Sequence, residues 1–238
     1  DAGLEQLQQA FAKDPSQTRA GMALATLLMR RGQTAKALQV AESLAKSQPR
    51  DVLVLNLLGG IKGASGDLAG ARQAYERVLQ IAPIHAAATL NLARLDITES
   101  KMDAARTRLS ALLKVSDKNV DALMEFASLE ELLGNFGEAA KLLEKARAFP
   151  AGGLRAGLQL IDLYLKQRNF DKALVVARDL QLKASGNLTV LTALVRVQLA
   201  MGDLSEARKT LADMARLANY EAEAQVAIAG LQRAAGNE

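Results

Sequence analysis

Gly66-Asp67-Leu68-Ala69-Gly70-Ala71 decides how the rest of the chain is read, because its phase returns along the whole sequence. Counting from Ala71, alanines recur at Ala37, Ala105, Ala139, Ala173 and Ala207, each 34 residues from the next. Glycines keep a second phase at Gly32, Gly66, Gly134, Gly202 and Gly236, and prolines a third at Pro15, Pro49 and Pro83. Such a period belongs to helical pairs, each too small to bury its own apolar face and therefore obliged to stack on its neighbours. A glycine in the left-handed conformation ends one helix of the pair, and a proline stiffens the passage to the next.

Working outward, first helices are predicted to start at Thr18, Val52, Ala86, Val120, Leu154 and Leu188, giving six full 34-residue repeats over residues 18–221. Residues 1–17 read as the second helix of a partial repeat, with Leu4, Leu7, Ala10 and Phe11 at amphipathic spacing, and residues 222–238 as the first helix of a truncated one. Seven places into each first helix stands a large apolar residue: Leu24, Leu58, Leu92, Phe126, Leu160, Leu194 and Ile228. The next position is small in Ala25, Gly59, Ala93, Ala127 and Ala229, which lets helices approach closely, while Ile161 and Val195 depart. The closing proline gives way to Asp117, Ser185 and Asn219, and Pro150 comes one place early, before Ala151-Gly152-Gly153. That stretch reads as a looser joint inside one array, since the phase survives it.

Composition narrows the chemistry. The 238 residues contain no cysteine and one histidine, His85, so thiolate sites are excluded, and histidine clusters and Ser/His or Cys/His pairs nearly so. His85 stands at a helix start, where a capping role is expected. Asp121 with Glu125 and Glu130 with Glu131 resemble paired carboxylates, but on a Glu-rich helix solvation is the simpler reading. No enzyme, cofactor or metal is expected. The 30 basic and 26 acidic residues are interspersed without a basic block, which gives no nucleic-acid signal. No apolar run reaches the roughly 18 residues of a membrane span.

Taken together, Leu58-Gly59, Gly66, Ala71, Tyr75 and Pro83 resemble the tetratricopeptide repeat (TPR) family, and the constant phase extends the resemblance over the chain. The family's first-helix tyrosine is replaced by Lys62, Asp96 and Glu130 in the middle repeats. The resemblance implies an all-α, right-handed superhelical solenoid of antiparallel helix pairs whose first helices line a concave groove for a peptide or protein partner. Carried over by position, the groove residues are Met22, Met29, Asn56, Leu90, Asn91, Arg94, Ile97, Asp121, Met124, Glu125, Arg155, Leu158, Lys166 and Arg196. Their apolar members are more than a solvated face needs. Their charges predict basic flanks around an acidic fourth repeat, able to steer an anionic or mixed-charge partner. The carboxylate clamp of TPR co-chaperones is rejected, because Asp121 and Glu125 stand where its cations belong. Gly60 and Gly63 also face the groove without a repeat role. They imply a close approach by a ligand or helix, or a loose helix end.

A narrower likeness lies in the run from Leu57 to Arg72, in Ala88 to Asp96 and in Leu143-Glu144-Lys145-Ala146-Arg147. These resemble the TPR lipoproteins of the PEP-CTERM and exosortase system. That resemblance implies a role in bacterial exopolysaccharide production and protein sorting, on the periplasmic face of the envelope, with polysaccharide-export machinery among the partners and a lipid anchor outside this chain. The periplasmic TPR region of another polysaccharide secretion complex and a cytoplasmic TPR adaptor are the alternatives. Open ends of the array are expected to allow self-association.

Overall fold

The computed structural model of the chain describes residues 2–218 and 222–236, so that Asn219 and Asn237 lie outside the described residues. Among the described residues every regular element is an α-helix, and the chain divides into two compact units, Asp1–Asp117 and Lys118–Glu238. The N-terminal unit holds α1 (Ala2–Lys13), α2 (Thr18–Arg30), α3 (Thr34–Ser47), α4 (Val52–Ala64), α5 (Leu68–Ile81), α6 (Ala86–Thr98) and α7 (Met102–Val115). The C-terminal unit holds α8 (Val120–Leu132), α9 (Phe136–Arg147), α10 (Gly153–Lys166), α11 (Phe170–Lys183), α12 (Leu188–Met201), α13 (Leu204–Ala218) and α14 (Ala222–Ala234). Within each unit every helix packs on the next, and alternate helices α2, α4 and α6, or α10, α12 and α14, also touch in series. Helices joined by such short turns and packed side by side run antiparallel.

The phase of the alanines is a packing requirement. Ala37, Ala71, Ala105, Ala139, Ala173 and Ala207 are each 0% exposed, one at the heart of every helix pair. A longer side chain there would overpack the close contact between first and second helix. The large-and-small pairs of the first helices are mostly interior as well, with three exceptions. Leu58 and Phe126 are only half-buried, and Ala229 is exposed. At the N-terminal end Leu4, Leu7 and Phe11 pack against the cluster around Leu24, Leu28 and Ile61.

The turn phase is fuller than its glycines reveal. Positive φ occurs at Gly32, Gly66, Gly134, Gly202 and Gly236, and equally at Ser100 (60°) and Arg168 (57°), so the left-handed residue recurs every 34 residues. The six turns from Gly32 to Gly202 close in the same way, as when Asp67 N–H donates to the Lys62 carbonyl at 2.9 Å and Gly66 N–H to the Gly63 carbonyl at 3.1 Å. This is the paired bonding that satisfies the orphan carbonyls of a helix end. Four of the first helices are opened by side-chain caps: Asp51, Asn119 and Asn187 accept from backbone N–H groups, and His85 Nδ1 accepts from Ala88 N–H at 3.2 Å, the capping role expected of it.

The fifth first helix starts at Gly153 and not Leu154. Because Pro150 arrives early, the Phe149 carbonyl accepts from the N–H of both Gly152 (2.9 Å) and Gly153 (3.0 Å). The turn is so tight that a Cβ on Gly152 would stand 2.2 Å from the Ala146 carbonyl oxygen.

Candidate functional site

In the N-terminal unit the wall formed by α2, α4 and α6 is built from apolar and amide side chains. Met22 and Met29 lie half-buried on α2, and Met22 joins Ala23, Thr26, Leu27 and Arg30 around an open hollow of about 340 Å³. Met29 also leans on the Leu24–Leu28–Ile61 cluster, so part of its surface is already spent on the core. Asn56 on α4 and Asn91 on α6 face each other, with Asn91 Nδ2 donating to Asn56 Oδ1 over 3.4 Å and Arg94 Nη1 to Asn91 Oδ1 over 3.4 Å. Both bonds are longer than the usual range and easily exchanged for a ligand's. Ile97 is half-buried and Arg94 exposed. Leu90 corrects the positional expectation: only 7% exposed, it packs as core and offers little to a partner.

The C-terminal unit arranges the same repeat positions differently. Arg155 Nη1 on α10 donates to Asp121 Oδ1 on α8 at 2.9 Å, Lys166 Nζ on α10 to Glu131 Oε1 on α8 at 2.6 Å, and Arg196 Nη1 on α12 to Asp162 Oδ1 on α10 at 2.8 Å. Gln159 Nε2 adds a bond to Ser128 Oγ at 2.8 Å. Partners are 31 to 35 residues apart, so equivalent faces of successive first helices are stitched together. The bond to Glu131 raises the pKa of Lys166 above the ordinary lysine value. The expected polarity of charge is thereby corrected: three of the cations proposed to steer an anionic partner already hold carboxylates of the neighbouring helix. Met124, Glu125 and Leu158 sit half-buried among these pairs.

Behind the walls, two of the residues standing in place of the family's tyrosine, Asp96 and Glu130, are buried polar groups, while Lys62 is half-buried. Asp96, 1% exposed, accepts from Arg72 Nη2 at 2.7 Å and Arg108 Nε at 2.6 Å; Arg72 also donates to Glu99 Oε2 at 3.1 Å, and Lys101 Nζ to the same oxygen at 2.6 Å. Lys62 donates to Asp67 at 2.9 Å, and buried Glu130 accepts from Asn135 Nδ2 at 2.8 Å. Hydrogen bonds from Lys101 and Lys62 hold the carboxyls of Glu99 and Asp67 below their ordinary pKa. Sequence reasoning flagged these positions as departures but not as an ion cluster; the signal was the opposite charge of Arg72 and Asp96 on adjoining helices. Among the described residues no group of three His, Cys, Asp or Glu side chains could hold a metal ion, and no helix is long and apolar enough to cross a membrane.

An all-helical chain of stacked pairs with a repeated wall of first helices defines a helical repeat protein. Tetratricopeptide repeat family models match residues 1–52, 22–86 and 64–125, together reaching over residues 1–125 of 238, and the chain belongs to that family. It is similar in fold to a tetratricopeptide repeat protein from Parabacteroides merdae ATCC 43184, with 20% identity, a TM-score of 0.66 and coverage of 98% of this chain and 91% of that one. It is likewise similar to yeast Tom70, with 17% identity, TM-score 0.78 and coverage of 97% and 49%, and to Pseudomonas aeruginosa pilF, with 15% identity, TM-score 0.64 and coverage of 97% and 99%. No curated protein matches the chain. The fold is that of a protein-interaction scaffold.

Proposed function

We propose that the chain is a non-enzymatic scaffold that docks a peptide or protein partner on its first helices, with the wall of α2, α4 and α6 as the principal contact. The observation that carries this is the makeup of that wall, which combines half-buried Met22, Met29 and Ile97 with the loosely bonded Asn56–Asn91 pair and carries an open hollow at Met22, Thr26 and Leu27 on α2. Methionine adapts to irregular apolar ligands, and amides serve both donors and acceptors of a peptide. Selection from a displayed library of random linear peptides tests the reading. Peptides should bind saturably, and Met22→Glu with Met29→Glu should abolish their binding while the far-ultraviolet spectrum stays helical. Binding that survives both charges contradicts the assignment.

Within that reading, the likeness of Leu57 to Arg72 and Ala88 to Asp96 supports a role in bacterial exopolysaccharide production and PEP-CTERM protein sorting at the periplasmic face of the envelope. Deleting the gene in its host should lower exopolysaccharide output or strand PEP-CTERM proteins. Unchanged output and sorting would remove the role.

A further inference from the structure

Charge spans the joint between repeats at two places in the chain, and at a third it is missing. Arg77 Nη2 on α5 donates to the carbonyl of Pro49, in the turn between α3 and α4, at 2.9 Å. Further along, Arg147 on α9 and Asp179 on α11 pair across their joint at 3.0 Å. At the turn from α5 to α6 the corresponding positions carry no charge. Ala111 stands one repeat after Arg77, Leu79 and Ala111 stand two repeats before Arg147 and Asp179, and Ile84 falls where Arg50 and Lys118 stand in the repeats on either side.

The uncharged joint is hollow. Leu79, Ile84, Ala111, Leu112 and Val115 line an open cavity of about 310 Å³. That lies near the smaller end of the roughly 300–1,000 Å³ range of small-molecule sites. Ile84 is 69% exposed and Val115 62%, so the apolar surface continues to the rim. The lining comes from α5, α7 and the start of α6, apart from the Met22 hollow on α2.

Its polar lining is small and specific. The Thr89 hydroxyl is already given to the His85 carbonyl at 3.2 Å. Arg108 gives its Nε to Asp96 at 2.6 Å, and its Nη groups make no hydrogen bond among the described residues. The Arg108 side chain is 30% exposed, so those groups meet solvent. In the ion cluster behind it the cations Arg72, Arg108 and Lys101 outnumber the carboxylates Asp96 and Glu99, which favours an anion at Arg108. Pro83 is the other polar feature. Its carbonyl stands one repeat after that of Pro49 but receives no such bond, because Ala111 replaces the arginine. Arg77 shows which chemistry suits that carbonyl: a cationic N–H donor.

A ligand of this hollow therefore needs a compact apolar body, a carboxylate for the Arg108 Nη groups and an ammonium for the Pro83 carbonyl. We infer that the joint between α5 and α7 binds a free aliphatic α-amino acid of the size of leucine, its side chain seated against Leu79, Leu112 and Val115. The site is separate from the first-helix wall and does not rest on the scaffold reading.

The test is a chemical-shift titration of the full chain with leucine, glycine, isocaproate and isoamylamine. Leucine should shift α5, α7 and the turn at Pro83 saturably. Glycine, with no side chain to bury, should bind at least about tenfold more weakly. Isoamylamine, which is leucine without its carboxylate, should lose about tenfold, and isocaproate, which lacks the ammonium, about threefold. Ala111→Arg restores the residue of the earlier joint at an exposed position and should abolish binding without lowering the melting temperature. Leucine that binds this variant unchanged overturns the site. So does glycine, isocaproate or isoamylamine binding as tightly as leucine, or leucine giving no saturable shift. Leucine shifts confined to α2, α4 and α6 overturn it too, and leave the scaffold reading standing.

Discussion

The two units use one repeat phase to hold charge in opposite ways. In the N-terminal unit the paired ions are chiefly interior: Asp96 is closed over by Arg72 and Arg108, and the first-helix wall presents methionines and amides beside Arg30 and Arg94. In the C-terminal unit the ions are on the wall, where Asp121–Arg155 and Asp162–Arg196 pair with side chains about half-exposed. Residue types and helix spacing are alike, yet the consequences differ, because the worth of an ion pair is set by how much water reaches it. One unit is locked from within and open at its face. The other is laced across its face.

The largest effect that can break this contrast is Asp96→Ala, which leaves two guanidinium groups without their buried carboxylate and should cost about 3–5 kcal/mol by chemical denaturation. Asp162→Ala, the same loss on the exposed wall, should cost at most about 1 kcal/mol and vanish in high salt. Equal costs would erase the distinction. Next in size, Gly59→Ala should destabilise by about 1–3 kcal/mol, since its methyl group overlaps the Tyr75 ring and the ring cannot retreat.

A smaller effect of opposite sign is expected at the turns. Arg168→Gly and Ser100→Gly should each stabilise by about 1 kcal/mol, relieving a left-handed backbone that a side chain disfavours. A loss of stability would show that these side chains anchor their turns. The smallest effect is in pH. The depressed carboxyls of Glu99 and Asp67 contribute stability that is complete above the ordinary carboxylate pKa and lost as pH falls through the lower folded values. The melting temperature should fall on acidification through that range, less steeply in Lys101→Ala.

Much of this was legible beforehand, for physical reasons. The alanine phase could be read because only a methyl group fits between paired helices, and the helix starts because proline and capping residues recur with it. The turn at Arg168 could not be read from glycine, since the fold imposes a left-handed residue there whatever the side chain. Asp121 with Arg155 and Asp162 with Arg196 were legible in principle: each pair occupies one repeat position in successive repeats, and such positions lie side by side. Read one at a time, the cations looked available to a partner. Leu90 was misplaced for the converse reason, because position in a repeat does not say how deeply a neighbouring helix covers it. The difference between Gly59 and Gly60 needed coordinates, as only they separate a glycine that packing requires from one it does not.

The most direct test of the open-faced N-terminal unit is a hydrogen-exchange and chemical-shift footprint of a library-selected peptide on the full chain. Protection and shifts confined to α2, α4 and α6, strongest near Met22 and Asn56, are the predicted result. A footprint on α8, α10 and α12, among the paired charges, would contradict the account.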